Sequence, residues 1–205
     1  MKSWIPALIL PLALALPAAS LAGEWVHPYD FPQTDKVPDT FYAVIEIPAG
    51  GFTKYELDGD TGHVMVDRFV RMPVTYPANY GSITQTLGGD DDPLDVLVIT
   101  REPLYPGVIV KARPVAILKS IDGGEVDDKI IAVPASKLDP TYDHVEDASD
   151  LPELDRKRIE AFFRVYKQLK SGKVVEVKGW ADVDEAKKMI RGAVDAYRAR
   201  HGSDG

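Results

Sequence analysis

The sequence of 205 residues contains no cysteine, so its stability cannot come from disulfide bonds and must come from the core, from metals or from oligomerisation. Basic side chains are outnumbered, because 24 lysines and arginines face 32 aspartates and glutamates, a formal net charge of −8. This balance makes nucleic acid and anionic membrane surfaces poor partners. The four histidines show no metal-ligand spacing, so a histidine-based metal site is not expected.

Long apolar runs are confined to the N-terminus, where residues 1–22 predict a secretory signal peptide. Lys2 gives a positive start, Ile5–Leu16 is apolar, and Ser20–Ala22 supplies the small residues that an export peptidase reads. An uncleaved membrane anchor is the weaker alternative, because the apolar segment is shorter than the ~20 residues of a spanning helix. We expect cleavage after Ala22 and export to the periplasm or secretion, with no membrane association afterwards.

The remaining sequence predicts one domain at residues 40–200, preceded by an irregular leader (23–39) and followed by a frayed tail (201–205). Strand patterns occur at Phe41–Ile47, Lys54–Leu57, His63–Val70, Leu94–Thr100, Val108–Ile121, Lys129–Val133 and Val174–Val177. Pro73–Ile83 is expected to be irregular. One helix is expected at Leu151–Lys170, capped by Asp150 and ended by Gly172, and Asp182 caps a last helix. This order is typical of an α+β fold with a small barrel or strongly curved sheet.

The most informative stretch is Gly88–Val96, which reads GGDDDPLDV and places Asp90, Asp91, Asp92 and Asp95 within a few positions of one another. Carboxylates this close repel one another, and a fold retains them when hard cations such as Mg²⁺ hold them together. The run therefore predicts a divalent-metal site at the start of a buried strand. A solvated acidic turn is the alternative interpretation.

Other charged and tyrosine side chains interrupt apolar segments of the predicted strands and first helix. They are Glu46, Lys54, Glu56, Arg68, Tyr76, Tyr80, Asp122, Asp127, Asp128, Lys129, Tyr166 and Lys167. Taken singly, each has an ordinary structural explanation, such as an outward-facing strand residue or a core tyrosine with a satisfied hydroxyl. Together they offer many carboxylates, several cations and tyrosine hydroxyls, which suits a metal-bound phosphoanion.

The acidic run and eight further segments resemble family I soluble inorganic pyrophosphatases, over roughly residues 37–197. The segments are DDDPLDV (Asp90–Val96), VIEIP (Val44–Pro48), KYELD (Lys54–Asp58), VDRF (Val66–Phe69), YPANYG (Tyr76–Gly81), AVPASKL (Ala132–Leu138), YDHVEDASDLPE (Tyr142–Glu153), FFRVYKQL (Phe162–Leu169) and VKGW (Val177–Trp180). The resemblance implies a five-stranded, OB-like β-barrel with extra strands and two C-terminal helices. It also implies hydrolysis of pyrophosphate to two orthophosphates by a metal-bridged water or hydroxide.

The resemblance further implies roles for individual residues. Asp92 would be the general base. The metal ligands would be Asp90, Asp95, Asp122, Asp127, Glu56 and Glu46. The phosphate-binding groups would be Lys54, Arg68, Tyr80, Tyr166 and Lys167, the first three of them also catalytic. Lys129 would tune the acidic cluster and Tyr76 would line the pocket. Several Mg²⁺ ions per site are implied, with Mn²⁺ or Zn²⁺ as possible substitutes, in a homo-oligomer for which a hexamer is favoured.

Two positions depart from relatives. Asp91 stands where many members have Gly or Ser, and it would add a negative charge beside the metals. Ala161 and Val165 stand where some bacterial members place histidines at subunit contacts, which weakens the inference of a hexamer.

Three alternatives belong to other classes. One is an exported, non-catalytic barrel that binds divalent metal or phosphate. An oligonucleotide-binding barrel is disfavoured by the net negative charge. A calcium loop at Asp58–Asp60 is disfavoured because the later ligands of such a loop are missing.

Overall fold

The computed structural model describes residues 25–171 and 175–202. The predicted signal peptide, the proposed helix end at Gly172 and most of the predicted tail lie outside these ranges. The described strands are β1 (Phe41–Ile47), β2 (Thr53–Leu57), β3 (Val64–Phe69), β4 (Asn79–Ile83), β5 (Asp95–Val98), β6 (Ile109–Asp122), β7 (Glu125–Val126), β8 (Lys129–Pro134) and β9 (Glu176–Ala181). The described α-helices are α1 (Glu153–Val165), α2 (Gln168–Ser171) and α3 (Val183–His201).

Five strands close into a barrel in the order β1-β4-β5-β8-β6, because β6 also pairs with β1. All these pairings are antiparallel except that of β5 with β8. β7 and β9 extend the sheet from β6, while β2 and β3 form a separate hairpin. The α+β class and the small five-stranded barrel are therefore confirmed.

The core divides into two apolar clusters, one on each side of the barrel wall. Phe162 and Phe163 of α1 belong to the first cluster, and Ile190 and Val194 of α3 belong to the second. The long β6 contributes to both, because its 14 residues are buried over most of their length. Burial of this apolar surface holds α1 and α3 against the barrel. It therefore also fixes the position of the barrel edge that lies between the two helices.

The predicted irregular segment Pro73–Ile83 contains a strand, β4, at its C-terminal end. The β4 sequence NYGSI has low strand propensity, so tertiary contacts determine that this segment forms a strand. Buried Asn79 donates to the carbonyl of Val98 and the hydroxyl of Thr100. A Cβ on Gly81 would come within 2.0 Å of the carbonyl oxygen of Val44, so only glycine allows β4 to approach β1 this closely.

The first helix begins and ends inside its predicted limits. Asp150 does not cap it, because its carboxylate forms a capping box with Asp147 around the preceding 3₁₀ turn. α1 begins at Glu153 after Pro152 and ends at Val165, where two turn residues separate it from α2. Asp182 caps α3 as predicted, accepting a hydrogen bond from the backbone of Glu185.

The strand predicted at Val174–Val177 is displaced toward the C-terminus, since β9 covers Glu176–Ala181 and Val174 lies outside the described residues. Within the ranges 25–171 and 175–202, no helix combines the length and the apolar character that a membrane crossing needs.

Candidate active site

An open cleft of ≈ 1100 Å³ lies between the barrel, the β2–β3 hairpin and α3. It collects side chains from eight strands, β1 to β8, and from the loops at their ends. The sequence-predicted residues that line it are Glu46, Lys54, Glu56, Arg68, Tyr80, Asp90, Asp92, Asp95, Asp122, Asp127, Lys129, Tyr166 and Lys167. Residues far apart in the chain thus face one volume, which the sequence order alone does not show.

The acidic loop before β5 sorts its three consecutive aspartates into two directions. Asp91 has a positive φ of 71°, and the backbone N–H of Gly88 donates to the carbonyl of Asp92 across the turn. Asp90 and Asp92 consequently line the cleft, whereas Asp91 forms a 2.6 Å ion pair with Arg200 of α3. The extra charge expected beside the metals at Asp91 is therefore paired with a cation outside the cleft lining.

Asp92 is suited to accept a proton because its pKa is raised, a property that it shares with Glu46 and Asp127. Partial burial, followed by the charges of Asp90 and Asp95, raises its pKa above the usual range. A carboxylate with a raised pKa is a stronger base, because its neighbours repel its negative charge. Repulsion from Asp90 and Asp95 contributes to the rise of the Asp92 pKa, although the contribution of burial is larger.

Lys129 links the acidic loop to the end of β6. Its side chain is 2% exposed, and the ammonium lies 2.5 Å from Oδ2 of Asp95 and also contacts Asp127. Burial opposes the charged ammonium, but the two aspartates outweigh it and raise the Lys129 pKa. Lys167 forms a similar ion pair with Asp122. Lysine ammonium groups thus bridge carboxylates on this side of the cleft.

The donor set fits hard divalent cations, because every predicted ligand offers carboxylate oxygen. Within the described part of the chain, no three acidic or histidine side chains are grouped closely enough to hold a metal ion as they stand. The carboxylates of Asp95 and Asp127 are separated by the Lys129 ammonium, so metal binding would require these side chains to exchange partners. The structure therefore brings the predicted ligands to one cleft without forming a coordination sphere.

Glu46 is a buried carboxylate at the end of β1, only 4% exposed. Its Oε1 accepts 2.9 Å hydrogen bonds from the hydroxyls of Tyr29 and Ser82. Burial is the dominant effect and raises its pKa from 4.5 to about 7, although both hydrogen bonds act in the opposite direction. In the absence of metal, Glu46 therefore carries a proton at mildly acidic pH.

We expect Glu46→Gln to remove a pH dependence of stability in the metal-free protein. Between pH 4.5 and 7 the unfolded chain loses the Glu46 proton while the folded chain keeps it. The wild-type free energy of unfolding should therefore fall by about 3 kcal/mol as pH rises through this window, relative to Glu46→Gln. Urea unfolding with a chelator at pH 4.5 and pH 7.5 measures the difference, and parallel pH profiles for the two proteins would contradict it.

The β2–β3 hairpin supplies basic side chains to the cleft. Lys54 contacts Glu56 and lies 3.2 Å from Asp67, which is also 2.5 Å from the Arg68 guanidinium. Because β2 and β3 pair Lys54 opposite Arg68, both cations occupy one end of the hairpin. This pairing gives an anion two adjacent positive groups facing the acidic loop.

Three tyrosines, Tyr76, Tyr80 and Tyr166, form a cluster of tilted and edge-on rings behind these cations. Burial raises the pKa values of Tyr80 and Tyr166, so both hydroxyls remain protonated donors toward the cleft. Tyr76 is 2% exposed and packs against Tyr80 at 5.6 Å and Phe162 at 4.6 Å between ring centroids. Tyr76 lies beneath these rings and lines a smaller cavity that shares Arg68, Tyr166 and Lys167 with the main cleft.

The sequence patterns did not indicate the two cleft residues that donate hydrogen bonds to Glu46, Tyr29 and Ser82. Ser82 lies two positions after Tyr80, so strand alternation would have indicated it if β4 had been recognised. Tyr29 belongs to the irregular leader, where no periodicity relates it to Glu46.

Comparison with known proteins agrees with this geometry. The family model for inorganic pyrophosphatase matches residues 43–198. The inorganic pyrophosphatase of Agrobacterium fabrum (strain C58 / ATCC 33970) is 47% identical over 164 residues, 80% of this chain and 93% of the relative. That of Vibrio vulnificus (strain YJ016) is 49% identical over 168 residues, 82% and 94% of the two chains.

A solved structure supports the same assignment. The inorganic pyrophosphatase from Thermus thermophilus superposes with a TM-score of 0.80 at 39% identity, covering 84% of this chain and 99% of its own. The match of fold and sequence extends over most of the described residues. This chain belongs to the inorganic pyrophosphatase family.

Proposed function

We propose that this chain hydrolyses inorganic pyrophosphate to two orthophosphates in the acidic cleft. The observation that carries the proposal is the meeting of the acidic loop with Lys54, Arg68 and Lys167 across one open volume. Carboxylates alone would repel pyrophosphate, and cations alone would need no acidic loop. A cleft with both suits an anion that arrives with divalent metal.

Family I pyrophosphatases use divalent metals, generally Mg²⁺. We assign several Mg²⁺ ions to this cleft, with Mn²⁺ or Zn²⁺ as substitutes. The residues that would hold them are Asp90, Asp95, Asp122, Asp127, Glu46 and Glu56. When bound, such ions neutralise phosphate oxygens and lower the pKa of water.

The protein's own groups supply the rest of the reaction. Asp92, with its raised pKa, takes the proton of the attacking water. Lys54 and the Tyr80 hydroxyl bind the phosphoryl group that is attacked. On the other side, Arg68, Tyr166 and Lys167 bind the leaving phosphate and stabilise the charge that develops on it.

Phosphate release from pyrophosphate by the mature chain, from Gly23 onward, tests the proposal with and without Mg²⁺. Fast release that needs Mg²⁺, with little release from ATP, is the expected result. The non-catalytic metal or phosphate binder has no support from the comparisons, since the relatives are pyrophosphatases. Divalent-metal binding without phosphate release would nevertheless restore it.

We expect Lys54→Ala to raise KM for magnesium pyrophosphate about tenfold and to lower kcat about tenfold or more, because a charge-assisted phosphate contact is lost. Lys178→Ala is the matched control, since Lys178 pairs with exposed Glu176 on β9, away from the cleft. Steady-state kinetics with free Mg²⁺ held constant make the comparison. An unchanged KM for Lys54→Ala would show that Lys54 does not bind phosphate.

We also propose that the chain is exported and that it forms a homo-oligomer. Residues 1–22 support export to the periplasm or secretion, and mass spectrometry of the mature protein should find Gly23 as its first residue.

The exposed apolar side chains Met65, Val66 and Phe69 on β3 support a homo-oligomer, for which we favour a hexamer. Analytical ultracentrifugation distinguishes a hexamer from a trimer or a monomer.

A further inference from the structure

Residues 25–30 of the leader, which we call the clasp, lie outside the family match at residues 43–198 and cover one rim of the cleft. The Trp25 ring packs on the β2–β3 turn so closely that a Cβ on Gly62 would come within 2.5 Å of it. In the same turn, His27 Nε2 is 3.0 Å from the carbonyl of Asp58. The clasp therefore holds the turn of the hairpin that carries Lys54, Glu56 and Arg68.

The other end of the clasp is attached to the barrel and to α3. The backbone N–H of Gln85, just after β4, donates a 2.7 Å hydrogen bond to the carbonyl of Tyr29. The hydroxyl of Tyr197 on α3 donates a 2.6 Å hydrogen bond to Oδ1 of Asp30. The Gln85 contact fixes the backbone of Tyr29 itself, whereas the Tyr197 contact holds the side chain of the next residue, Asp30, against α3.

The Tyr29 side chain enters the cleft and ends at Glu46. Its hydroxyl and that of Ser82 both donate to Oε1 of Glu46 at 2.9 Å. Two donors on one oxygen restrict rotation of the carboxylate, and among the described residues no hydrogen bond ends on Oε2. The second oxygen is therefore kept available for a cation. Outer groups that orient a metal ligand in this way commonly change metal affinity 10–100-fold when they are removed.

We propose that the clasp completes the active site, with Tyr29 as a positioning residue that orients Glu46 toward a divalent cation. The inference rests on the proposed function, because it assigns Glu46 to the metal site. It adds a residue from outside the family match to the support of that site. Tyr29 itself touches neither metal nor substrate in this assignment and acts through the Glu46 carboxylate.

Calorimetric titration of the chelator-treated mature protein with Mn²⁺ tests the proposal without any measurement of activity. We expect Tyr29→Phe to weaken the Glu46-dependent binding about tenfold, and Ser82→Ala to weaken it in the same direction. Tyr197→Phe is the matched control, because it removes a phenol hydrogen bond from the same clasp without touching Glu46. Its Mn²⁺ affinity should stay within about twofold of wild type.

A double-mutant cycle with Glu46→Gln separates positioning from a general loosening of the leader. If Tyr29 acts through Glu46, Tyr29→Phe should have no further effect once the carboxylate is gone. Equal loss in both backgrounds, equal loss in Tyr197→Phe, or wild-type affinity in Tyr29→Phe would each overturn the proposal. Phosphate release by the wild type is assayed separately, so a failure of the proposed function is recognised independently of the binding result.

Discussion

Replacing Asp92 with asparagine is expected to lower kcat for pyrophosphate hydrolysis about a thousandfold while the fold is retained. Asp92 lies in the cleft, and burial together with Asp90 and Asp95 raises its pKa. An amide has nearly the same shape but cannot accept the proton of the attacking water. The backbone contacts of the loop do not depend on this carboxylate, because the N–H of Gly88 donates to the Asp92 carbonyl.

Asp91→Asn supplies a control within the same loop. It removes one negative charge from the neighbouring position, but that charge is paired with Arg200 and does not line the cleft. Its kcat should remain within a few-fold of wild type. Single-turnover kinetics at saturating Mg²⁺ separate the chemical step from product release. A near-normal rate for Asp92→Asn, or an equal loss in Asp91→Asn, would remove Asp92 as the base.

The difference between these neighbours marks the limit of what the sequence could predict. The run of aspartates predicted an acidic site, and the cleft contains it. Which aspartates face the cleft depends on the left-handed backbone at Asp91 and on the position of α3, more than 100 residues away in the chain. Local pattern carries no information on either. The effect of the additional charge at Asp91 on the metals stays a prediction, since Asp91 does not line the cleft but its charge still contributes to the raised pKa of Asp92.

The strands show a related limit. β1 and β8 are mostly apolar apart from Glu46 and Lys129, so their burial was predictable from the sequence. β4 contains glycine and asparagine and exists because β1 and β5 pair with it on both sides. Tyr29 is the extreme case, since an irregular leader brings it to Glu46 without any repeating pattern. Tyr29 and Ser82 were missed because tertiary contacts, and no repeating pattern in the sequence, bring them to Glu46.

Lys129 shows how the cleft keeps its carboxylates together without a metal ion. The buried ammonium neutralises Asp95 and Asp127, and burial raises the pKa of Asp127 against the opposing effect of this lysine. A divalent cation bound by the two aspartates from the cleft side would neutralise the same two negative charges. The lysine and the metal therefore both stabilise one acidic pair, and removing the lysine should make the fold depend on the metal.

Lys129→Met tests this dependence by removing the charge while keeping the long apolar stem. We expect the chelator-treated variant to lose about 4 kcal/mol in its free energy of unfolding, because two partly buried carboxylates are left uncompensated. Added Mg²⁺ should recover a larger share of stability in the variant than it adds to the wild type, because binding to the folded state becomes the main source of neutralisation. Urea unfolding with and without Mg²⁺ measures both quantities.

The matched control is Lys119→Met on β6, the strand that pairs with the start of β8 where Lys129 lies. Lys119 pairs with Asp128 and Glu185 but is 31% exposed, so solvent screens its charges and the expected loss is about 1 kcal/mol or less. Mg²⁺ should stabilise Lys119→Met no more than it stabilises the wild type. If Lys129→Met is as stable as Lys119→Met without metal, or if Mg²⁺ stabilises the two variants equally, then Lys129 is not the cation that holds the acidic pair. In that case protonation of Asp127, whose pKa burial raises, is the remaining way to relieve the repulsion within the pair.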